Sequence, residues 1–228
     1  MSLFDRKKFL AFILDNGVVG FFDKPVMLKS GRKSNWYVNW RTVTSDVFLT
    51  DKLSDFLLAF VGDLDLKHDG FFGVPEGATK IAIISSYKWA KSQQGYKAGS
   101  HRLSMGRGKP KEHGAPKDKY FVGEPHENVI VIEDVTTTGG SLISTIDYIR
   151  QAGSNVVAAV GLTNRMELDD SKKSVADAVA AKGVKYYSMS EAADILPEAI
   201  RRFKPAAKIV EAIEKEFEEF GVKPIKLR

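Results

Sequence analysis

The stretch with the most chemistry in this 228-residue sequence is Val129-Ile130-Val131-Ile132-Glu133-Asp134-Val135-Thr136-Thr137-Thr138-Gly139-Gly140-Ser141. Its continuous β-branched run reads as a strand buried on both faces. That strand delivers two carboxylates at its carboxyl end, and a loop of hydroxyl residues and glycines then opens a helix. In an open α/β sheet, ligands bind at those strand ends. A helix N-terminus exposes backbone N–H groups that suit a phosphate. Thr and Ser add hydroxyl donors, and Gly139 and Gly140 let the backbone approach. The two acids cannot serve that phosphate directly. They are placed for hydroxyls beside it, such as a ribose diol, or for a metal or another cation. The plainer reading is a tight strand-to-helix turn, but Glu-Asp ahead of Thr-Thr-Thr-Gly-Gly favours a phosphosugar site. The loop lacks the Lys of a Walker loop and the G-x-G-x-x-G of a dinucleotide fingerprint.

Elements on both sides must hold this loop. The sequence predicts a helix over 2–16 that Ser2 can cap, with Asp5 in its first turn. Short strands follow over 18–41. Leu49, Leu53, Phe56, Leu57 and Phe60 share one helix face. A short strand at 70–74, a helix over 79–94 and a strand at 97–103 are expected. Residues 104–119, rich in Gly, Pro and Lys, read as a long functional or disordered loop. Beyond the central motif come a helix ended by Gly153 and a strand over 155–162. The tail reads helix, strand (185–189), helix, and a last helix between Pro205 and Gly221. Alternating strands and helices predict an α/β fold with an open, mainly parallel sheet flanked by helices.

Charge and composition narrow the classes. Net charge is +5, and hydrophobic residues make up 43%. Residues 102–119 and 29–41 each carry a local +4. Two confined patches suit a small polyanion better than nucleic acid. The absence of Cys excludes disulfides, thiolate metal sites and cysteine nucleophiles. Four scattered His residues show no metal-ligand spacing. No apolar run is long enough to span a bilayer, and the N-terminus lacks signal-peptide order. A cytoplasmic protein is the expectation, with no membrane and no nucleic-acid partner.

The central stretch closely resembles the phosphoribosyl diphosphate (PRPP) motif of the type I phosphoribosyltransferases. The resemblance implies that Thr136, Thr137, Thr138, Gly139, Gly140 and Ser141 wrap the 5′-phosphate, with Glu133 and Asp134 at the ribose hydroxyls. Lys29-Ser30-Gly31-Arg32-Lys33-Ser34-Asn35-Trp36-Tyr37-Val38-Asn39 is similar to the orotate phosphoribosyltransferase pattern K-S-G-R-x-S-x-x-Y-x-N. The plainer reading is a solvated basic hairpin packed through its Trp and Tyr. Arg107-Gly108-Lys109-Pro110-Lys111-Glu112-His113-Gly114 resembles the mobile loop R-K-x-x-K-x-H-G, with Gly108 departing from it and Lys109 one place along. Gly73-Val74-Pro75-Glu76-Gly77-Ala78-Thr79-Lys80 sits at the diphosphate turn. Gly77 stands where some members carry Lys, so no Lys contact is assigned there and Lys80 is a candidate helper. Arg165 falls where the family holds the substrate carboxylate; alone it would read as a surface salt bridge with Glu167 or Asp169.

The implied reaction is transfer of phosphoribosyl from PRPP to orotate with Mg²⁺. Lys29, Tyr37, Thr137 and Arg165 would bind orotate. Lys29, Arg107, Lys111, His113 and the 133–141 motif would bind PRPP. Arg107, Lys111, His113 and Asp134 would be catalytic, and no direct protein ligand to the metal is assigned. The implied organisation is one domain over 1–228, with 1–41 as a hood and 104–119 as a mobile catalytic loop in a homodimer with shared active sites. The length leaves no room for an orotidylate decarboxylase barrel. The rival readings are a uracil or purine phosphoribosyltransferase, or a non-catalytic PRPP-sensing regulator that binds nucleic acid.

Overall fold

Asp5, rather than Ser2, opens the first helix. Its carboxylate accepts from the backbone N–H of Lys7 and Lys8 and caps α1 (Arg6–Asp15). This computed structural model describes residues 3–109, 111–113 and 119–227. After α1 the chain turns into an antiparallel hairpin, β1 (Val19–Met27) with β2 (Lys33–Val38). The single-turn helix α2 (Arg41–Thr44) and the long α3 (Val47–Asp63) follow. Then come β3 (Gly70–Gly73) and α4 (Thr79–Ser92). A two-residue ribbon, β4 (Met105–Gly106) with β5 (Phe121–Val122), brackets the basic loop. The expected strand at 97–103 does not form. That stretch turns instead, with Gly99 at positive φ and Ser100 Oγ bonding back to the Lys97 carbonyl.

The second half alternates as predicted. It runs β6 (Asn128–Thr136), α5 (Gly140–Gln151), β7 (Asn155–Asn164), α6 (Val175–Ala180), β8 (Lys185–Ser188), α7 (Ala192–Phe203) and α8 (Ala207–Phe220). The central sheet has the order β3-β6-β7-β8 and is parallel throughout. Its two faces bury separate apolar clusters. Ile130, Ile132, Val160 and Leu162 pack toward α1, α3, α4, α7 and α8. Val129, Val131 and Ala159 pack toward α5 and α6. Because β6 is covered on both sides, its carboxyl end opens between layers rather than onto a flat surface. Among the described residues no helix is long and apolar enough to cross a membrane.

Candidate active site

The cleft lies at the carboxyl ends of β3, β6 and β7. Lys29, Tyr37, Asn39 and Arg41 line it from the hairpin side, and Pro75, Glu76 and Gly77 from the turn after β3. Glu133, Asp134, Thr137, Ser141 and Arg165 complete its floor and far wall. Gly77 is there for space: a Cβ on it would lie 2.2 Å from Asp134 Oδ2. The turn therefore meets Asp134 backbone-first, and a side chain at position 77 would require the Asp134 carboxylate to move. Lys80 gives no help to this cleft. Its Nζ donates to the Thr44 carbonyl at 3.0 Å, on the far side of the turn.

The two carboxylates are expensive residents. Strand β6 continues through Thr136, with Glu133 opposite Gly161 of β7, so both acids are part of the sheet rather than of a loop. Burial pushes Glu133 up to about 8, the neighbouring Asp134 charge adds to that, and Lys29 opposes it. Its Oε2 is buried with no partner among the described residues. Asp134 is also raised by burial. The backbone N–H groups of Val135 and Asp134 and the charges of Arg41 and Lys29 hold it back. A neutral Glu133 carries a proton it can donate to a hydroxyl oxygen, while an ionised Asp134 can accept from one.

Next to the acids lies a second hollow, lined by Lys29, Thr137, Thr138, Gly139, Gly140 and Ser141, with Glu133 at its edge. Helix α5 starts here with no side-chain cap, so its first N–H groups are open to a ligand. Lys29 Nζ reaches across to Ser141 Oγ at 2.9 Å. Gly139 caps the helix at φ +80, and a Cβ on it would lie 2.7 Å from Val175 Cγ2. Gly140, in contrast, has nothing within 4 Å of a built Cβ. Thr136 does not join the cradle. Its fully buried Oγ1 pairs with Tyr186 Oη at 2.6 Å, and its carbonyl accepts from Arg165 N. It supports the loop from below.

Arg165 reaches the cleft, but its guanidinium is already engaged. Nε donates to Glu167 at 2.7 Å and Nη1 to the Trp36 carbonyl at 3.3 Å. Nη2 donates to Ser34 Oγ at 3.0 Å and to Glu216 at 2.8 Å. The group also stacks over Trp36, 3.9 Å from the ring centroid. Of five guanidinium N–H groups, one on Nη1 is left over. The plainer sequence reading, a surface salt bridge with Glu167 or Asp169, has one of its two partners in Glu167, but the pair is buried. Glu216, far along the chain on α8, carried no local signal.

Arg107 lines neither the cleft nor the cradle, but an adjoining hollow that shares Pro75 with the cleft and Ser141 with both. Phe72, Tyr120 and Tyr148 line that hollow too, and the Arg107 Nε donates to the Phe121 carbonyl at 3.1 Å. Lys111 and His113 are exposed and line neither the cleft nor the cradle. The Lys111 N–H donates to the Lys119 carbonyl at 2.9 Å, tying the middle of the loop to its C-terminal end. Pro110 and residues 114–118, which the loop motif also spans, lie outside the described residues. Arg41 is a cleft residue outside every quoted motif, while Asn39 and Glu76 lay inside two of them without a role assigned. Only the all-basic run 29–41 pointed toward Arg41.

No family model matches the chain. An orotate phosphoribosyltransferase of Bradyrhizobium sp. (strain ORS 278) is 32% identical over 184 residues, covering 75% of this chain and 88% of that protein. This chain belongs to the orotate phosphoribosyltransferase family. Among solved structures, Leishmania donovani UMP synthase matches with a TM-score of 0.70 at 19% identity. The match covers 93% of this chain, which spans 42% of that longer one. Mycobacterium tuberculosis H37Rv orotate phosphoribosyltransferase in complex with PRPP matches with a TM-score of 0.56 at 20% identity, over 83% of this chain and 98% of that one. The shared fold is the open, mainly parallel sheet that the sequence predicts.

Two outcomes follow from the geometry. Glu133 has a folded-state pKa of about 8 against an ordinary 4.5. The stability this lends is fully present below the ordinary value and is lost as pH rises through the folded one. Glu133→Gln should therefore melt progressively higher than the parent as pH rises from 4.5 to 8. Parallel melting curves across that range would refute the buried, neutral carboxyl. Gly140→Val should keep its melting temperature yet weaken PRPP binding by at least about tenfold, measured by calorimetry. Gly139→Val should lose stability first, because it forces a side chain into a left-handed position against Val175. Unchanged PRPP affinity in Gly140→Val would remove the phosphate from this cradle.

Proposed function

We propose that the protein transfers the phosphoribosyl group of PRPP to orotate, giving orotidine 5′-monophosphate and diphosphate. The observation that carries this reading is a pair of buried carboxylates set beside the uncapped N-terminus of α5, in a chain of this family. The 5′-phosphate sits on Thr137 to Ser141 and Lys29. The ribose hydroxyls face Glu133 and Asp134. The C1–O bond to diphosphate breaks with its electron pair leaving on the diphosphate. A bond forms from the orotate ring nitrogen to C1, and that nitrogen's proton passes to solvent or to the diphosphate. Positive charge grows on the ribose meanwhile, so catalysis is positioning and electrostatics, without a protein nucleophile.

The cleft acids fit a Mg²⁺ ion that arrives on the substrate. Among the described residues no three metal-ligating side chains converge, while Asp134 stands beside the hydroxyl site. Such an ion supplies charge neutralisation on diphosphate oxygens. Lys29 and Tyr37 cover the base, with Thr137 below it, and the spare Nη1–H of Arg165 meets its carboxylate. The basic loop 104–119 acts as the lid over the diphosphate, carrying Arg107, Lys111 and His113. The hairpin within residues 1–41 forms the hood. The setting is cytoplasmic.

The lid works between subunits of a homodimer. Val47 and Phe48 stand 85% and 67% exposed at the start of α3. Beside them runs a groove lined by Ile83 and Ile84 of α4, an apolar face suited to a second copy.

Incubation with PRPP, Mg²⁺ and each of orotate, uracil and the purine bases, followed by identification of the nucleotide, tests the base. Orotidine 5′-monophosphate should form at least about a hundredfold faster than uridine 5′-monophosphate, since uracil leaves the Arg165 N–H unpaired. Comparable turnover of uracil would sink the orotate reading. Mixing Lys111→Ala with Asp134→Asn protein, after verified subunit exchange, should restore activity well above either parent. One site of each mixed dimer then collects both defects and the other neither. A mixture as inactive as its parents shows that the loop serves its own subunit.

A further inference from the structure

We propose that Arg41 is a diphosphate-binding residue of the cleft, an assignment that rests on the PRPP reading above. The cleft holds three acids, Glu76, Glu133 and Asp134, and three cationic side chains, Lys29, Arg41 and Arg165. Two of the cations are already placed. Lys29 leans to the cradle side, on Ser141 Oγ, and Arg165 is held by Glu167 and Glu216. The turn after β3 brings Glu76 and no cation, because position 77 is Gly, set against Asp134, and Lys80 points to Thr44. That leaves Arg41, whose guanidinium has no hydrogen bond or ion pair among the described residues. It faces Glu76, Gly77 and Asp134 across the cleft, and its charge is felt at Asp134.

The base of this residue is fixed although its tip is free. Trp40, just before it, is fully buried. Its ring stacks on Phe9 with centroids 5.7 Å apart, and its Nε1 donates to Thr163 Oγ1 at 3.1 Å. The Arg41 N–H donates to Asn39 Oδ1 at 3.2 Å, and Lys80 holds the last carbonyl of α2. A guanidinium anchored this way, with all its donors unspent, matches the forked oxygens of a diphosphate. PRPP is thereby gripped at both ends: the 5′-phosphate by the cradle and Lys29, the diphosphate by Arg41 on the opposite wall. Glu76 and Asp134 repel the same diphosphate, so Arg41 offsets a charge problem that the turn itself creates.

Calorimetry with inorganic diphosphate, ribose 5-phosphate and PRPP, each with Mg²⁺, separates the two ends. Arg41→Ala should weaken diphosphate and PRPP by about tenfold or more, the scale of a lost charge-assisted hydrogen bond. Ribose 5-phosphate should bind as in the parent, and Arg41→Lys should recover part of the loss. Melting temperatures should match the parent in both variants; Arg41→Gln serves as the second neutral variant if Arg41→Ala is unstable. Unchanged diphosphate affinity, or an equal loss for ribose 5-phosphate, overturns the assignment. A parent protein that binds neither PRPP nor ribose 5-phosphate overturns the site reading itself, and the assignment with it.

Discussion

Two adjacent carboxylates, Glu133 and Asp134, are carried into the buried end of a parallel strand, and the cleft is built around their cost. A carboxylate out of water resists ionisation, and two in sequence resist it together. Among the described residues Glu133 has no salt bridge. One of its oxygens has no partner there, and the proton stays on. Such a site is incomplete without a ligand that brings hydroxyls to the acids and anions to Lys29 and the α5 N-terminus. Binding energy is then available where the protein alone is least satisfied.

The backbone around the acids obeys the same constraint. Gly77 lets the turn after β3 reach Asp134, and Gly139 lets α5 begin close to Val175. Neither position tolerates a Cβ without moving a neighbour. Gly140 is open in comparison, so adjacent glycines in one motif differ: one lets the chain pack closely, the other has free space beside it. Thr136 and Thr137 divide in the same way. Thr136 faces inward onto Tyr186, and Thr137 faces the cleft.

A second ionic cluster ties the cleft to the rest of the molecule. Arg165 joins the end of β7 to β2 through Ser34 and Trp36, and to α8 through Glu216. Arg32 extends the cluster to Glu167 and Asp170. Breaking a buried pair of this kind costs about 3–5 kcal/mol, so Arg165 holds the fold together at this point. Burial raises Glu216, although Arg165 and Ser34 pull it back. Arg32 and Arg165 stand against Glu167, Glu216 and the exposed Asp170, so the two cations are paired within the cluster. Within it the Arg165 guanidinium keeps a single N–H, on Nη1, without a partner among the described residues.

The sequence by itself determined the parallel sheet, the acids at a strand end and the glycine-hydroxyl opening of α5. Each of these is written in neighbouring residues: a β-branched run, a helix start, a turn glycine. The same locality misled at two places. Residues 97–103 were expected as a strand but turn at Gly99, at positive φ, and Ser2 resembled a cap that Asp5 supplies. Contacts between distant segments were invisible to such reading. Nothing near Arg165 announced Glu216, nothing near Thr136 announced Tyr186, and the direction of Lys80 depends on where α2 lies. Arg41 belonged to a basic run with no evident duty until the hairpin was folded against the turn after β3. Local periodicity sets which elements form, because it acts over a few residues. Which charge is satisfied and which is left free for a ligand is settled only when segments far apart in sequence are packed together, and only the tertiary structure decided that.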